Sequence, residues 1–149
     1  MSIVTFDTCI FINNRPSTLP AGFRLTAVVL EELTAGADDD KAVKAWDAVR
    51  REREKDGTLI VPDAEDWWFA GKILNSLQRG LRSKTTGKIP KMSKDEVQQI
   101  VRDVLIARTC KRSNALLVTD NLKDFERIKP YCAVRIKSGK DYFDKTTRK

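Results

Sequence analysis

The stretch VRDVLIARTCKRSNALLVTDNLKDF, residues 101–125, contains the pattern that decides the fold. Its first part belongs to an amphipathic segment, residues 93–113, whose opening letters SKDE have the serine and glutamate of a helix capping box. The apolar run ALLVT at 115–119 predicts a buried strand, and residues 121–128 predict a short helix. A helix, a strand and a second helix therefore follow one another in this stretch.

The rest of the chain continues this alternation. Strands are predicted at residues 2–6, 58–61 and 133–136, and helices at 25–36, 38–57 and 63–81. Beyond the first strand, Cys9, Ile10 and Phe11 also favour extended structure. Alternating strands and helices are typical of α/β proteins. We therefore predict a three-layer α/β fold, with a central, mostly parallel sheet flanked by helices.

Length and composition predict one globular domain over residues 1–149, because 41% of the residues are hydrophobic and 33% are charged. A basic loop is predicted at about 79–94 and a polar, basic tail that frays at about 137–149. No apolar run is long enough to span a membrane, and the N-terminus lacks a signal-peptide pattern. We expect a cytoplasmic protein with no membrane partner.

The residue types exclude several kinds of chemistry. The chain has no histidine, which removes Ser-His-Asp and Cys-His catalysis and histidine-bound zinc. Its cysteines, Cys9, Cys110 and Cys132, form no CxxC pair and indicate neither a disulfide framework nor a zinc site. The net charge of +7 favours a polyanionic partner.

Two carboxylates directly follow predicted strands. Asp7 follows residues 2–6, and Asp120 follows residues 115–119. If these strands are parallel, both acids lie at the carboxyl edge of the sheet, where open α/β sheets bind ligands. An acid after a strand also caps turns and helices, so Asp120 could instead cap the helix at 121–128.

Two predicted helices add inward-facing acids. Glu32 lies at the border of an apolar helix face, whereas Glu31 points away from it. Asp103 has apolar neighbours three and four positions away, although it could also pair with an arginine. Together with Asp7 and Asp120, these carboxylates would repel one another unless a cation lay between them. Mg²⁺ or Mn²⁺, which prefer oxygen ligands, would relieve that repulsion.

Basic and aromatic side chains leave two interpretations open. Six cations without an intervening acid are candidates for binding the RNA backbone, or else form a solvated loop: Arg79, Arg82, Lys84, Lys88, Lys91 and Lys94. The Trp67–Trp68 pair could stack on bases, or pack in the core or at a dimer interface.

Several stretches resemble PIN domains, and among these the VapC-like ribonuclease toxins. The matching segments are FDTCIFI (6–12), VVLEELTAG (28–36), VPDAEDWWFAGKILNSL (61–77) and residues 101–125. This resemblance implies a PIN-like fold and a Mg²⁺- or Mn²⁺-dependent endoribonuclease that cuts RNA. It also implies a homodimer and, for a toxin, a protein antitoxin as partner.

The resemblance assigns site residues position by position. The four family acids correspond to Asp7, Glu32, Asp103 and Asp120. Asp7, Asp103 and Asp120 are then metal ligands, and Glu32 binds through water or orients the attacking water. The resemblance further implies auxiliary roles for Thr8, Thr119 and Asp124.

Three other functions stay open at the level of sequence. One is a PIN nuclease that processes RNA without an antitoxin. Another is a receiver-like α/β domain, which gathers acids around Mg²⁺ and accepts a phosphoryl group on an aspartate. The third is a non-catalytic RNA-binding module that keeps the acids for structure.

Overall fold

The computed structural model describes residues 3–13 and 19–147, with side chains as far as Asp144. Residue 2 of the predicted first strand and residues 148–149 of the predicted tail lie outside this range. In the described part of the chain, no helix is both long and apolar enough to cross a membrane.

Parallel strands form the centre of the molecule. One sheet has the order β1-β4-β5, and a second pairs β2 with β3. The strands are β1 (Ile3–Phe6), β2 (Leu25–Thr26), β3 (Leu59–Ile60), β4 (Ala115–Val118) and β5 (Ile136–Lys137). A bridge between Thr5 and Arg24 joins the two sheets. The predicted α/β fold with a parallel sheet flanked by helices is confirmed.

The helices surround these strands. They are α1 (Thr8–Asn13), α2 (Ala27–Ala35), α3 (Asp40–Asp56), α4 (Ala64–Gly80), α5 (Lys94–Arg112), α6 (Leu122–Ile128) and α7 (Gly139–Thr147). Most of them begin at a side chain that accepts a backbone N–H of the first turn; these caps are Thr26, Asp39, Asp63 and Ser93. At α4, Asp63 and Asp66 form a reciprocal capping box. At α5 only the Ser93 half of the predicted box is seen, and the Glu96 carboxylate instead contacts Arg127.

Most differences between the predicted and the observed boundaries fall at short helices and strands. Cys9, Ile10 and Phe11 belong to α1 rather than to extended structure, because the chain turns at Asp7 and the helix brings Ile10 into the core. Residues 25–26 form β2 rather than the start of a helix, and the last strand is 136–137 rather than 133–136. Two-residue strands are too short to leave a periodic pattern.

The prediction that the tail frays is wrong for residues 139–147. Residues 139–147 form α7, whose aromatic residues pack on the start of the chain. The Phe6 ring lies 5.6 Å from that of Tyr142 and 6.2 Å from that of Phe143, measured between ring centroids. This burial stabilises a segment that its polar composition alone would leave frayed.

The core lies between the sheet and α5. Val104, Ile106 and Ala107 of α5 are buried together with Leu117 of β4. The Trp67–Trp68 pair is not part of this core, because the two side chains are 56% and 61% exposed. Core packing, one interpretation of that pair, is therefore wrong.

Candidate metal centre

Asp7 is held at the carboxyl edge of the sheet. Because β1 and β4 are parallel with Phe6 opposite Val118, Asp7 comes to lie beside Thr119. Its Oδ1 accepts the Thr8 backbone N–H at 2.8 Å, and its Oδ2 accepts the Thr119 hydroxyl at 2.7 Å. The Asn121 amide lies 3.5 Å from the same Oδ2. Asp7 is only 5% exposed, so these donors fix a buried carboxylate.

Asp103 is a buried carboxyl with one unpartnered oxygen. Gln99, one turn earlier on α5, donates to Oδ1 at 2.9 Å, whereas Oδ2 has no hydrogen-bond partner in the described part of the chain. Asp103 is 2% exposed, and this burial raises its pKa to about 7. The charges of Asp124 and Asp7 also raise that pKa. Among the residues that the structure describes, Asp103 forms no ion pair with an arginine, the alternative left open by the sequence.

Glu32 and Glu31 face different environments, as the helix periodicity predicts. Glu31 is exposed and pairs with Arg102 at 3.4 Å. Glu32 is half-buried, and burial followed by the charge of Asp7 raises its pKa. The nearby Thr8 hydroxyl lowers the pKa of Glu32 and so opposes this rise. The Thr8 hydroxyl itself is buried and makes no hydrogen bond of normal geometry to any described residue. Of the two acids, Glu32 is therefore the one whose pKa is raised by the charge of Asp7.

Asp120 does not cap the following helix. The N-cap of α6 is Asn121, whose side chain makes no capping hydrogen bond. Asp120 is exposed at the sheet edge, and its Oδ1 accepts the Gly139 backbone N–H at 2.9 Å. Asp124, in the first turn of α6, acts on the site through the field that raises the pKa of Asp103.

Cys9 is close enough to Asp7 and Asp120 for both charges to act on its thiol. Burial raises the pKa of its thiol, and the charges of Asp7 and Asp120 raise it further. The Cys9 Sγ is also 4.0 Å from the Thr119 hydroxyl. The field of Asp7 thus reaches Glu32, Asp103 and Cys9, which shows that side chains distant in sequence share one electrostatic environment.

These acids do not form a complete ligand set. Over residues 3–13 and 19–147, no three His, Cys, Asp or Glu side chains are arranged to hold a metal ion. The predicted convergence of four carboxylates on one ion is therefore not seen as a finished cluster. Ionised carboxylates repel one another unless a cation lies between them. The donor set itself fits a hard divalent cation, because it consists of carboxylate oxygens and includes the orphaned Oδ2 of Asp103.

Sequence reasoning missed three residues that hold the acids. They are Gln99, Asn121 and Gly139. The i, i+4 spacing of Gln99 and Asp103 on one helix was a usable signal. The other two contacts depend on how the chain folds back, so no local pattern indicated them.

All six predicted basic residues are exposed. The connection between α4 and α5 covers residues 81–93, within the predicted basic loop at about 79–94. Arg79 lies within α4, where it donates to Asn75, and Lys94 is the first residue of α5. Exposure leaves these cations accessible to a polyanion, and their role in RNA binding stays a prediction.

An apolar groove of about 470 Å³ lies along α2, α4 and α5. Its apolar lining includes Val61, Trp67, Val101 and Leu105. The Glu31–Arg102 ion pair also lines it. Trp67 is therefore part of a concave surface, whereas Trp68 contacts Lys72 outside it, with the ammonium 5.2 Å from the ring centroid.

Solved structures with this fold include chains of VapBC complexes. A chain of the DNA-bound VapBC from Salmonella typhimurium is 25% identical, with 93% of this chain and 98% of that chain covered and a TM-score of 0.55. A chain of VapBC2 from Rickettsia felis, bound to a promoter DNA fragment, is 20% identical. The match covers 91% of this chain and 98% of that chain, with a TM-score of 0.55. A chain of VapBC-1 from nontypeable Haemophilus influenzae is 21% identical, with 91% of this chain and 97% of that chain covered and a TM-score of 0.51. No protein-family model and no curated protein matches the chain.

The chain has the PIN-like α/β fold of these VapBC chains, across more than nine-tenths of its length. The resemblance to VapC-like PIN domains noted in the sequence is thereby confirmed for the fold.

Proposed function

We propose that this protein is a metal-dependent endoribonuclease and the toxin of a toxin–antitoxin pair. The observation that carries the proposal is the Asp103 carboxyl, which is buried, coupled to Asp7, and has one oxygen without a partner. A fold that needed Asp103 only for stability would gain by pairing that oxygen.

Asp7, Asp103 and Asp120 would hold Mg²⁺ or Mn²⁺ in this proposal. Mg²⁺ sites use one or two protein carboxylates and complete the shell with waters and substrate phosphate, so a finished cluster of three acids is not required. A bound divalent ion supplies an activated water and stabilises charge on a phosphate.

The residues of the chain orient these groups. Thr119 and the Thr8 N–H fix Asp7, and Gln99 fixes Asp103 through the oxygen opposite the free one. Glu32 accepts the proton of the attacking water, because its raised pKa makes it a better base than an ordinary carboxylate. The chain has no histidine to take that role.

Charge, the apolar groove and the structural neighbours support the proposed substrate and partner. The net charge of +7 and the exposed cations of residues 79–94 support a polyanionic RNA substrate. The neighbours are VapBC complexes, which supports a protein antitoxin as partner. We assign the antitoxin to the apolar groove around Trp67, and a homodimer, implied by the resemblance, is included in the proposal.

Cleavage of structured RNA with Mg²⁺ or Mn²⁺, compared with EDTA, tests the activity. Asp7→Asn should lower the rate by about 100-fold or more, because it removes a ligand charge. Glu31→Gln is the matched control, since Glu31 is exposed and adjacent to Glu32, and it should keep the wild-type rate. Cleavage that persists in EDTA or in Asp7→Asn would contradict the proposed mechanism.

A further inference from the structure

Gly139 connects α7 to the candidate metal ligand Asp120. The Ser138 hydroxyl accepts the Asp141 N–H at 3.1 Å, and the Ser138 carbonyl accepts the Tyr142 N–H at 3.0 Å. Ser138 therefore caps the helix, and Gly139 is its first residue. The N–H of a first helical residue has no acceptor within the helix, and that of Gly139 donates to Asp120 Oδ1 at 2.9 Å.

A side chain at position 139 would make tight contacts with Asp120 and Ile10. A Cβ there would lie 3.1 Å from Oδ1 and 3.6 Å from Oδ2 of Asp120, and 3.0 Å from Cδ1 of Ile10. The 3.0 Å contact is shorter than the optimal separation of carbon atoms, about 3.5–4.0 Å, and both close contacts would require the neighbouring atoms to shift. In contrast, a Cβ at Gly71 or Gly80 of α4 would meet no atom within 4 Å. Close approach to neighbouring side chains therefore sets Gly139 apart from the glycines of α4.

Asp120 is the group that would yield to such a side chain. Ile10 is fully buried, and α7 is held by the rings of Tyr142 and Phe143 against Phe6. Asp120 is exposed and can rotate into solvent. An added methyl group would thus displace the carboxylate while the core stays in place.

We propose that Gly139 is a positioning residue for the metal centre: its N–H and its lack of a side chain together fix the Asp120 carboxylate in the orientation that binds the divalent cation. The inference rests on the proposed function, in which Asp120 is a ligand. It makes the C-terminal helix part of the site.

Calorimetric titration with Mn²⁺ alone tests the inference. Gly139→Ala should weaken Mn²⁺ binding by about 10-fold or more, as expected when the group that orients a ligand is lost. Gly71→Ala, the matched glycine-to-alanine change in open space, should bind as the wild type does. Equal affinity of wild type and Gly139→Ala would overturn the inference.

Two double variants separate Asp120 from Ile10. Ile10→Val removes the Cδ1 atom, so Ile10→Val/Gly139→Ala should still bind Mn²⁺ weakly if Asp120 carries the effect. Adding Gly139→Ala to Asp120→Asn should cause little further loss. Recovery of wild-type affinity in the first pair, or a full additional loss in the second, would refute a role through Asp120.

A metal-free measurement keeps the inference testable even if Gly139→Ala does not fold. Asp120→Ala should move the NMR resonance of the Gly139 amide proton, because that proton loses its carboxylate acceptor. An unchanged resonance would overturn the contact itself. A wild-type protein that binds no Mn²⁺ would overturn the proposed function, whereas Mn²⁺ binding unaffected by Gly139→Ala would overturn this inference alone.

Discussion

At the scale of single residues, the Asp103 carboxyl gives the site its pH dependence. Burial raises its pKa to about 7, and the charges of Asp124 and Asp7 act in the same direction. A carboxyl whose pKa is higher in the folded state binds its proton more tightly there than in the unfolded chain. Ionised Asp103 therefore costs folding free energy, beginning above the unfolded pKa near 4 and reaching its full value above about pH 7.

Asp103→Asn should remove this cost. In EDTA, the variant and the wild type should have similar unfolding free energies near pH 4, since both are then uncharged at residue 103. Toward pH 8 the variant should become more stable, by up to roughly 4 kcal/mol. Denaturant unfolding between pH 4 and pH 8 measures this difference. A difference that did not change with pH would show that Asp103 carries no such penalty.

At the scale of elements, the connection at residues 81–93 is the candidate RNA contact outside the metal centre. Its cations are exposed, and it is tied to the rest of the molecule by the packing of α4 on α5. The Asp66 carboxylate of α4 is fully buried and contacts Arg108 at 3.3 Å and Arg112 at 2.6 Å on α5. These contacts fix the two helices from which the basic connection projects.

Replacing Arg82, Lys84 and Lys88 with glutamine should weaken RNA binding. Each lost phosphate contact reduces the salt dependence of binding to a single strand by about 0.7, so the slope should fall by about 2. The measurement is RNA affinity against salt concentration, in EDTA to prevent cleavage. A control variant that neutralises Lys41, Lys55 and Lys129, which are exposed elsewhere, has the same net charge. If both variants lose affinity equally, overall charge rather than this connection binds the RNA.

At the scale of the whole molecule, two adjacent tryptophans are similarly exposed but lie on different surfaces, and only one of them lines the apolar groove. Trp67 lines the apolar groove, whereas Trp68 lies against Lys72 outside it. Their exposures are nearly equal, at 56% and 61%. Aromatic side chains in apolar pockets commonly dominate binding between proteins, and position in the groove, rather than exposure, should decide which residue matters.

If the proposed antitoxin binds in the groove, Trp67→Ala should weaken that complex by about 2 kcal/mol. Trp68→Ala should bind nearly as tightly as the wild type. Calorimetry with the purified antitoxin measures both affinities. Equal losses in the two variants would place the partner across the outer face of α4 rather than in the groove.

Short-range sequence patterns determined the long helices and the resemblance of the fold to known α/β domains. The helices α3, α4 and α5 follow from apolar periodicity and from side chains that cap within three residues, such as Asp63 and Ser93. The order of strands placed Asp7 and Asp120 at one sheet edge, because parallel strands end together. The helices depend on residues that are close in sequence, and the common sheet edge depends on strands that run parallel. The alternation of strands and helices along the sequence indicates both features.

Only the tertiary structure decided which residues donate hydrogen bonds to the acidic side chains and that residues 139–147 form a helix beside them. The Gly139–Asp120 contact joins residues 19 positions apart, and the Thr119–Asp7 contact joins residues 112 positions apart. Helix α7 is stabilised by packing on Phe6, so its polar sequence was misleading. Such contacts depend on distances between segments, and their free energies come from burial and hydrogen bonds that exist only once the chain has folded.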